Sequence, residues 1–229
     1  MNYRKSLALA AASIAVVIAP PTAALAAGTS KVTVRIEGKT RNLLGPTVVQ
    51  TQSGSITKSG APAGACSATS GAGALNVATH GRWGGSFSTG FHDYLISSIL
   101  GDTEPGSRFY WGIWIDNRFS PTGACGIKLH SGESLLFAVD SATHHEHPLG
   151  LSGPAKVKAG HPFTVKVVAF SDKGVAKPLA GAHVHGFGVN GRTDKQGLMQ
   201  ITGTGTGVLT FQADEKGFIR AASLRVKVS

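Results

Sequence analysis

Tyr110-Trp111-Gly112-Ile113-Trp114-Ile115-Asp116-Asn117 is the stretch on which the reading of this fold turns. It lies inside the segment closed by the only two cysteines, Cys66 and Cys125, which also holds the third tryptophan, Trp83. Along an extended strand Tyr110, Gly112, Trp114 and Asp116 share one face, while Trp111, Ile113 and Ile115 share the other. One face must pack a core. The other is either an aromatic platform, with Tyr110 and Trp114 beside the flat opening at Gly112, or a second buried face of a central strand. A run this continuously apolar favours the second. If the platform is open, Tyr110, Trp111, Trp114, Asp116 and Asn117 are the candidate ligand-binding residues for a glycan, a peptide or a small ring compound.

Outward from that strand, Lys31 to Gly38 alternates Val32, Val34 and Ile36 against Lys31, Thr33, Arg35 and Glu37, which predicts a half-buried strand. Thr47 to Gln52 reads as a second. Between Ser70 and Gly81 the spacing of Ala72, Leu75, Ala78 and Thr79 predicts a short helix, capped by Ser70 and ended by Gly81. Tyr94 to Leu100, Arg108 to Asp116 and Ser134 to Asp140 complete the strands of a first domain over residues 28–141. Residues 142–154, with His144, His145, His147, Gly150, Gly153 and Pro154, read as a His-rich linker. Beyond it Phe163 to Phe170, Ala182 to Gly186, Leu198 to Thr202, Val208 to Ala213 and Ala221 to Val228 recur between turn residues. That spacing predicts an antiparallel β-sandwich over 155–229.

Residues 1–27 read as a signal peptide: basic Arg4 and Lys5, an apolar run from Leu7 to Ala19, the breakers Pro20 and Pro21, and small residues in Ala24-Leu25-Ala26. A secreted, extracellular protein beginning near Ala27 or Gly28 is expected, with no transmembrane segment once the signal is removed. No cysteine lies near the cleavage site, which excludes a lipid anchor there. In an oxidising compartment Cys66 and Cys125 should pair, stabilising the fold by about 3 to 4 kcal/mol through the closed loop. Without Arg4 and Lys5 the chain has 20 Lys+Arg against 12 Asp+Glu, a net charge of +8. That favours an anionic envelope polymer over specific nucleic acid, because the basic residues are scattered and follow no nucleic-acid motif.

Val32-Thr33-Val34-Arg35-Ile36-Glu37-Gly38, the helix around Ala74-Leu75, Ile96-Ser97-Ser98-Ile99-Leu100-Gly101, the aromatic strand, and Leu129-His130-Ser131-Gly132-Glu133-Ser134-Leu135-Leu136-Phe137 follow one another in an order that resembles the transcobalamin-like C-terminal domain family. The resemblance covers Lys31 to Asp140 and implies a β-grasp-like fold, one short helix against a mixed sheet. In transcobalamins this domain closes over cobalamin held by a large helical domain. This sequence carries no counterpart of that helical domain, so fold is expected to transfer before ligand. The later part resembles an immunoglobulin-like or carboxypeptidase-regulatory-like module of bacterial surface proteins, through Pro178-Leu179-Ala180-Gly181-Ala182-His183-Val184, Gly191-Arg192-Thr193-Asp194-Lys195-Gln196-Gly197-Leu198 and Gly207-Val208-Leu209-Thr210-Phe211-Gln212-Ala213. The expected fold class is mainly β: an α+β, β-grasp-like first domain followed by an Ig-like β-sandwich.

The richest ligand cluster is His144, His145 and His147 with Glu146, and imidazole suits Zn, Cu or Ni. A linker supplies donors without the surroundings that orient them, so solvated histidines are the favoured reading there. His183 and His185 share a strand face and either ligate a metal, with His161 as a third donor in a joint site, or face water, which is the favoured reading. Gly38-Lys39-Thr40 imitates a phosphate loop but lacks its leading glycine, since Thr33 stands there. No Gly-x-Ser-x-Gly elbow appears, and Glu133, Asp140 and Glu146 are too scattered to nominate an acid/base pair. The sequence therefore predicts a non-enzymatic binding or scaffold protein of the bacterial cell surface. The alternative is capture of a small cofactor, a corrinoid or a transition metal.

Overall fold

A computed structural model describes residues 28–103, 107–202 and 205–229. The signal-peptide reading of residues 1–27 lies outside them. Among the described residues the chain is mainly β with one short α-helix, as its alternation and turn residues predict.

In the first half the elements are β1 (Lys31–Glu37), β2 (Asn42–Gln50), α1 (Gly71–Ala78), β3 (Trp83–Ser88), β4 (Asp93–Ile99), β5 (Asp102–Thr103), β6 (Phe109–Ile115), β7 (Arg118–Phe119) and β8 (Ser134–Ser141). A mixed sheet runs in the order β2-β1-β8-β6-β7, with β1 and β8 parallel and the other pairs antiparallel. Parallel neighbours require a long connection, and this one carries α1 onto one face of the sheet. Ser70 caps α1, its hydroxyl accepting from the Gly73 N–H at 3.4 Å. Gly81 leaves it with φ +73°, a conformation that favours glycine. The buried Ala72, Ala74 and Leu75 pack on Val32, Val34, Ile36, Trp111, Ile113 and Phe137. Cys66 and Cys125 are bonded. Beside that bond, Ala72 N–H donates to Ala124 O at 2.9 Å, so the approach to α1 is held to the loop that precedes β8. β3 escapes sequence reading because Gly84-Gly85 imitates a turn, whereas in the sheet β3 pairs with β4 and Gly85 lies against the backbone of Leu95.

The second half contains β9 (His147–Ser152), β10 (Lys156–Val157), β11 (Pro162–Phe170), β12 (Ala176–Pro178), β13 (His183–Gly186), β14 (Val189–Arg192), β15 (Leu198–Thr202), β16 (Gly207–Asp214), β17 (Phe218–Ile219) and β18 (Leu224–Val228). One sheet runs β10-β18-β16-β13-β14; the other runs β12-β11-β9-β17, with β15 also on β11. Leu149, Phe163, Val165 and Val167 meet Val184, Leu209, Phe211, Ala213 and Val226 in a shared core. This is a sandwich. The segment expected as a His-rich linker departs from that expectation, since residues 147–152 form β9 inside the second sheet. Pro148 and Gly150 read as turn residues, yet β11 pairs only with Leu149 to Ser152, so the missing N–H of Pro148 breaks no bond to β11.

β1 also differs from its half-buried reading. Arg35 and Glu37, on the face away from α1, are both buried. Arg35 Nη1 donates to Glu37 Oε1 at 3.1 Å and to Arg220 O at 2.8 Å. Arg220 reaches back to Glu37 Oε2 at 3.3 Å and to Gly38 O at 2.6 Å. Burial pushes the Arg35 guanidinium down from its ordinary value, and Glu37 opposes that shift. The far face of the sheet is therefore covered by the second half, which contributes Ile219 to a small cluster with Trp114, Leu136 and Ala138.

Candidate metal centre where the two halves meet

β6 and β8 present Tyr110, Trp114, Ala138 and Asp140 to the second half, since alternate residues of a strand share a face and these lie opposite the α1 side. Trp114 is fully buried, and its indole folds over Gly112: a Cβ there would stand 2.6 Å from the ring. Ile219 packs against it and Phe119 meets it edge-on, with ring centroids 5.5 Å apart. Trp111 is buried on the α1 side. Asp116 and Asn117 form the turn between β6 and β7, with φ +48° and +63°, the signature of a tight hairpin. Asp116 Oδ1 also accepts from the Ser134 N–H and hydroxyl at 2.9 and 3.0 Å. The five residues that an open platform would use thus serve the core, the turn and, for Tyr110, the cluster described next.

Asp140 is wholly buried and fully engaged. Its Oδ1 accepts from the backbone N–H groups of Ser141 and Glu146 at 2.7 and 2.8 Å. Its Oδ2 accepts from the Tyr110 hydroxyl at 2.6 Å and faces His145 Nδ1 at 2.5 Å. On the other edge of that imidazole, Nε2 stands 3.0 Å from Asp172 Oδ1. His147 Nδ1 lies 3.4 Å from the same oxygen, buried and without a hydrogen-bond partner. One ligand atom each from His145, His147 and Asp172 falls within 4.8 Å of the others. The imidazole of His145 is stacked near Trp114 (5.8 Å between centroids) and edge-on to Phe119 (4.6 Å). These two rings flank it.

The elements explain the convergence. Asp140 is the last residue but one of β8, the loop after it brings His145 back, and β9 starts on His147. β11 runs antiparallel to β9 with Ala169 opposite Leu149, which carries Asp172, just past its end, to the side of His147. Phe119 N–H donates to Asp172 O at 3.0 Å, fixing that turn to the first half. His144 is exposed and stands apart, bonding through its backbone to Ser141.

A buried carboxylate that receives one imidazole nitrogen and leaves the other facing a cluster of donors is the arrangement that orients metal-binding histidines. It also orients general bases. Here Asp172 faces Nε2, the nitrogen such a base would use. Tyr110, the hydroxyl within reach, is a poor nucleophile, because burial first, and then its bond to Asp140, raise its pKa well above the ordinary value. Glu146 is also pushed up, by burial first and by Asp140 second.

His183 and His185, the other histidine pair expected on one strand face, do share it. Their rings stack at 4.9 Å, and both reach Asp214 of β16, at 3.4 Å from His183 Nδ1 and 2.9 Å from His185 Nε2. His161 bonds Ala159 O instead, at 3.2 Å.

Asp172 and Asp214 were not singled out from sequence, and Asp140 was set aside. Asp140 carried a signal: it stands on the face of Leu136 and Ala138, an ionisable group at an apolar register. Asp172 carried none, because its partners lie in elements far apart in the chain. No protein-family model and no curated protein matches this chain, and the resemblances drawn from its sequence rest on the motifs quoted for them.

Proposed function

We propose that this is an exported, non-enzymatic binding protein that captures a divalent first-row transition metal through His145, His147 and Asp172, where its two halves meet. The observation that carries the proposal is the orientation of His145. A wholly buried Asp140 receives Nδ1 and leaves Nε2 facing Asp172 Oδ1 and the unpartnered Nδ1 of His147. Two imidazoles and one carboxylate suit Zn(II), Cu(II) or Ni(II), and three protein ligands leave a position for water. Export is supported by the basic, then apolar N-terminal run and by the Cys66–Cys125 bond, which persists in oxidising compartments. The net charge of +8 without Arg4 and Lys5 supports residence near an anionic envelope.

A second reading has its own support. Both nitrogens of His145 face carboxylates, so a protonated His145 would bridge Asp140 and Asp172 as an ion pair tying the halves together. Isothermal titration of the metal-free protein with Zn(II) and Cu(II) separates the two. Metal capture predicts one equivalent bound at this centre that His147→Ala removes from the count and Asp140→Asn weakens about 10- to 100-fold. The ion-pair reading predicts that His147→Ala leaves the titration unchanged. That result would remove the proposal.

A further inference from the structure

The His183, His185 and Asp214 cluster lies outside the first centre, and its geometry points to a second, open transition-metal site. It is built from a different local structure. His183 and His185 project from one face of β13, and the antiparallel register places His183 directly opposite Asp214 on β16. Across the β13–β14 hairpin, His183 Nε2 bonds Asn190 Oδ1 at 2.8 Å. An amide oxygen only accepts, so Nε2 carries the proton, and in the neutral form of the ring Nδ1 presents a lone pair. That lone pair faces Asp214 Oδ1 at 3.4 Å, acceptor against acceptor, an arrangement that a cation resolves. His185 Nε2 closes on the other carboxylate oxygen at 2.9 Å. One ligand atom from each of the three residues lies within 4.8 Å of the others.

Asn190 therefore does for His183 what Asp140 does for His145: it occupies one ring nitrogen and aims the other at the cluster. The nearby cation is already matched. Arg192, opposite His183 in the hairpin register, bonds Glu215 Oε2 at 2.7 Å and Gly181 O. Among the described residues Asp214 forms ion pairs with the two histidines alone. Each of the three side chains is about a third exposed, at 32%, 34% and 39%, so water and a metal reach the cluster directly. The class of ligand follows from the donors. Two imidazoles reject Ca(II) and Mg(II), which take oxygen, and the order of divalent affinities places Cu(II) first, with Zn(II) and Ni(II) behind.

The test counts metal on the whole protein, with copper and zinc as the probes. Wild type is expected to take up two equivalents of Cu(II), and His183→Gln/His185→Gln one. In a His147→Ala/Asp172→Ala background one equivalent should remain, with nitrogen couplings from two imidazoles in its electron paramagnetic resonance spectrum. Asn190→Ala, which frees the His183 ring without removing a ligand, should weaken that equivalent about 10-fold or more. If His183→Gln/His185→Gln binds as much copper as wild type, this second site does not exist. A wild type that binds one equivalent, lost in His183→Gln/His185→Gln and kept in His147→Ala, would overturn the first centre and leave this one standing. Where the double variant folds poorly, the single variant His185→Gln, at a side chain 34% exposed, carries the same comparison.

Discussion

The two faces of the sheet built on β1, β6 and β8 are made differently. Toward α1, Val32, Val34, Ile36, Trp111, Ile113 and Phe137 pack an apolar core against a helix drawn from the same half and held by the Cys66–Cys125 bond. Toward the second half, the same strands offer Arg35, Glu37, Tyr110, Trp114 and Asp140, a mixture of charge and aromatic surface. The first face is closed by local sequence. The second is closed by Ile219 and Arg220, which reach it from far along the chain, and by the His145 loop that follows β8. Buried charge demands partners, and every ionic group on this face has found one. A face that pairs its buried charges is where orienting bonds of the kind made by Asp140 arise.

The comparison breaks most directly at Trp114. Trp114 and Phe137 are both fully buried, one on each face, and truncating either to alanine is expected to cost about 3 to 5 kcal/mol. The two losses should differ in kind. Phe137→Ala empties the α1 side alone, whereas Trp114→Ala empties a cluster that both halves share. Calorimetry should therefore show Trp114→Ala separating the unfolding of the halves. A Trp114→Ala protein that loses under 1 kcal/mol by urea denaturation would mean that the second face is no core.

Arg220 sharpens the comparison at a smaller scale. Removing it by Arg220→Met leaves the Oε2 edge of Glu37 and two backbone carbonyls, of Gly38 and Lys39, without their donor. Breaking a buried pair costs about 3 to 5 kcal/mol, and roughly half that applies where one partner is partly exposed and a second guanidinium remains. Arg220 is 24% exposed, and Arg35 stays on Glu37 Oε1. An expected loss of about 2 kcal/mol in urea denaturation follows. A change within about 0.5 kcal/mol, the range of ordinary surface substitutions, would reduce this ion pair to decoration.

How much of this was legible follows the same division. The α1 side could be read: the spacing of Ala72, Leu75 and Ala78, the Ser70 cap and the alternation of β1 are local signals, and the helix lies where they put it. Alternation also put Arg35 and Glu37 on the other face, but periodicity cannot tell water from a partner that arrives 180 residues later, as Arg220 does on Arg35, at a separation of 185. The histidines of 144–147 were legible as donors; His144 and His145 do lie in the connection after β8, but His147 starts β9, which Pro148 and Gly150 hid. Asp172 was not legible at all, since only the β9–β11 register brings it to His147.

The smallest test lies at Gly112, where the two faces touch through one strand. Its missing side chain is what lets the Trp114 indole lie flat between β6 and Asp140: an added Cβ would meet Cη2 at 2.6 Å, Cζ3 at 2.8 Å and the Asp140 Cβ at 3.4 Å. The ring cannot retreat, because Ile219 lies on it, so Gly112→Ala must push the second half outward or turn the indole off its rotamer. Overpacking of this kind costs about 1 to 3 kcal/mol, offset in part by the strand preference that alanine has over glycine. The expected result is a net loss of about 1 kcal/mol, with a shift of the Trp114 signal in near-ultraviolet circular dichroism and no change at Trp111 on the opposite face. Unchanged stability would show that the second half yields easily, and that the seal over the His145 cluster is looser than the one over α1.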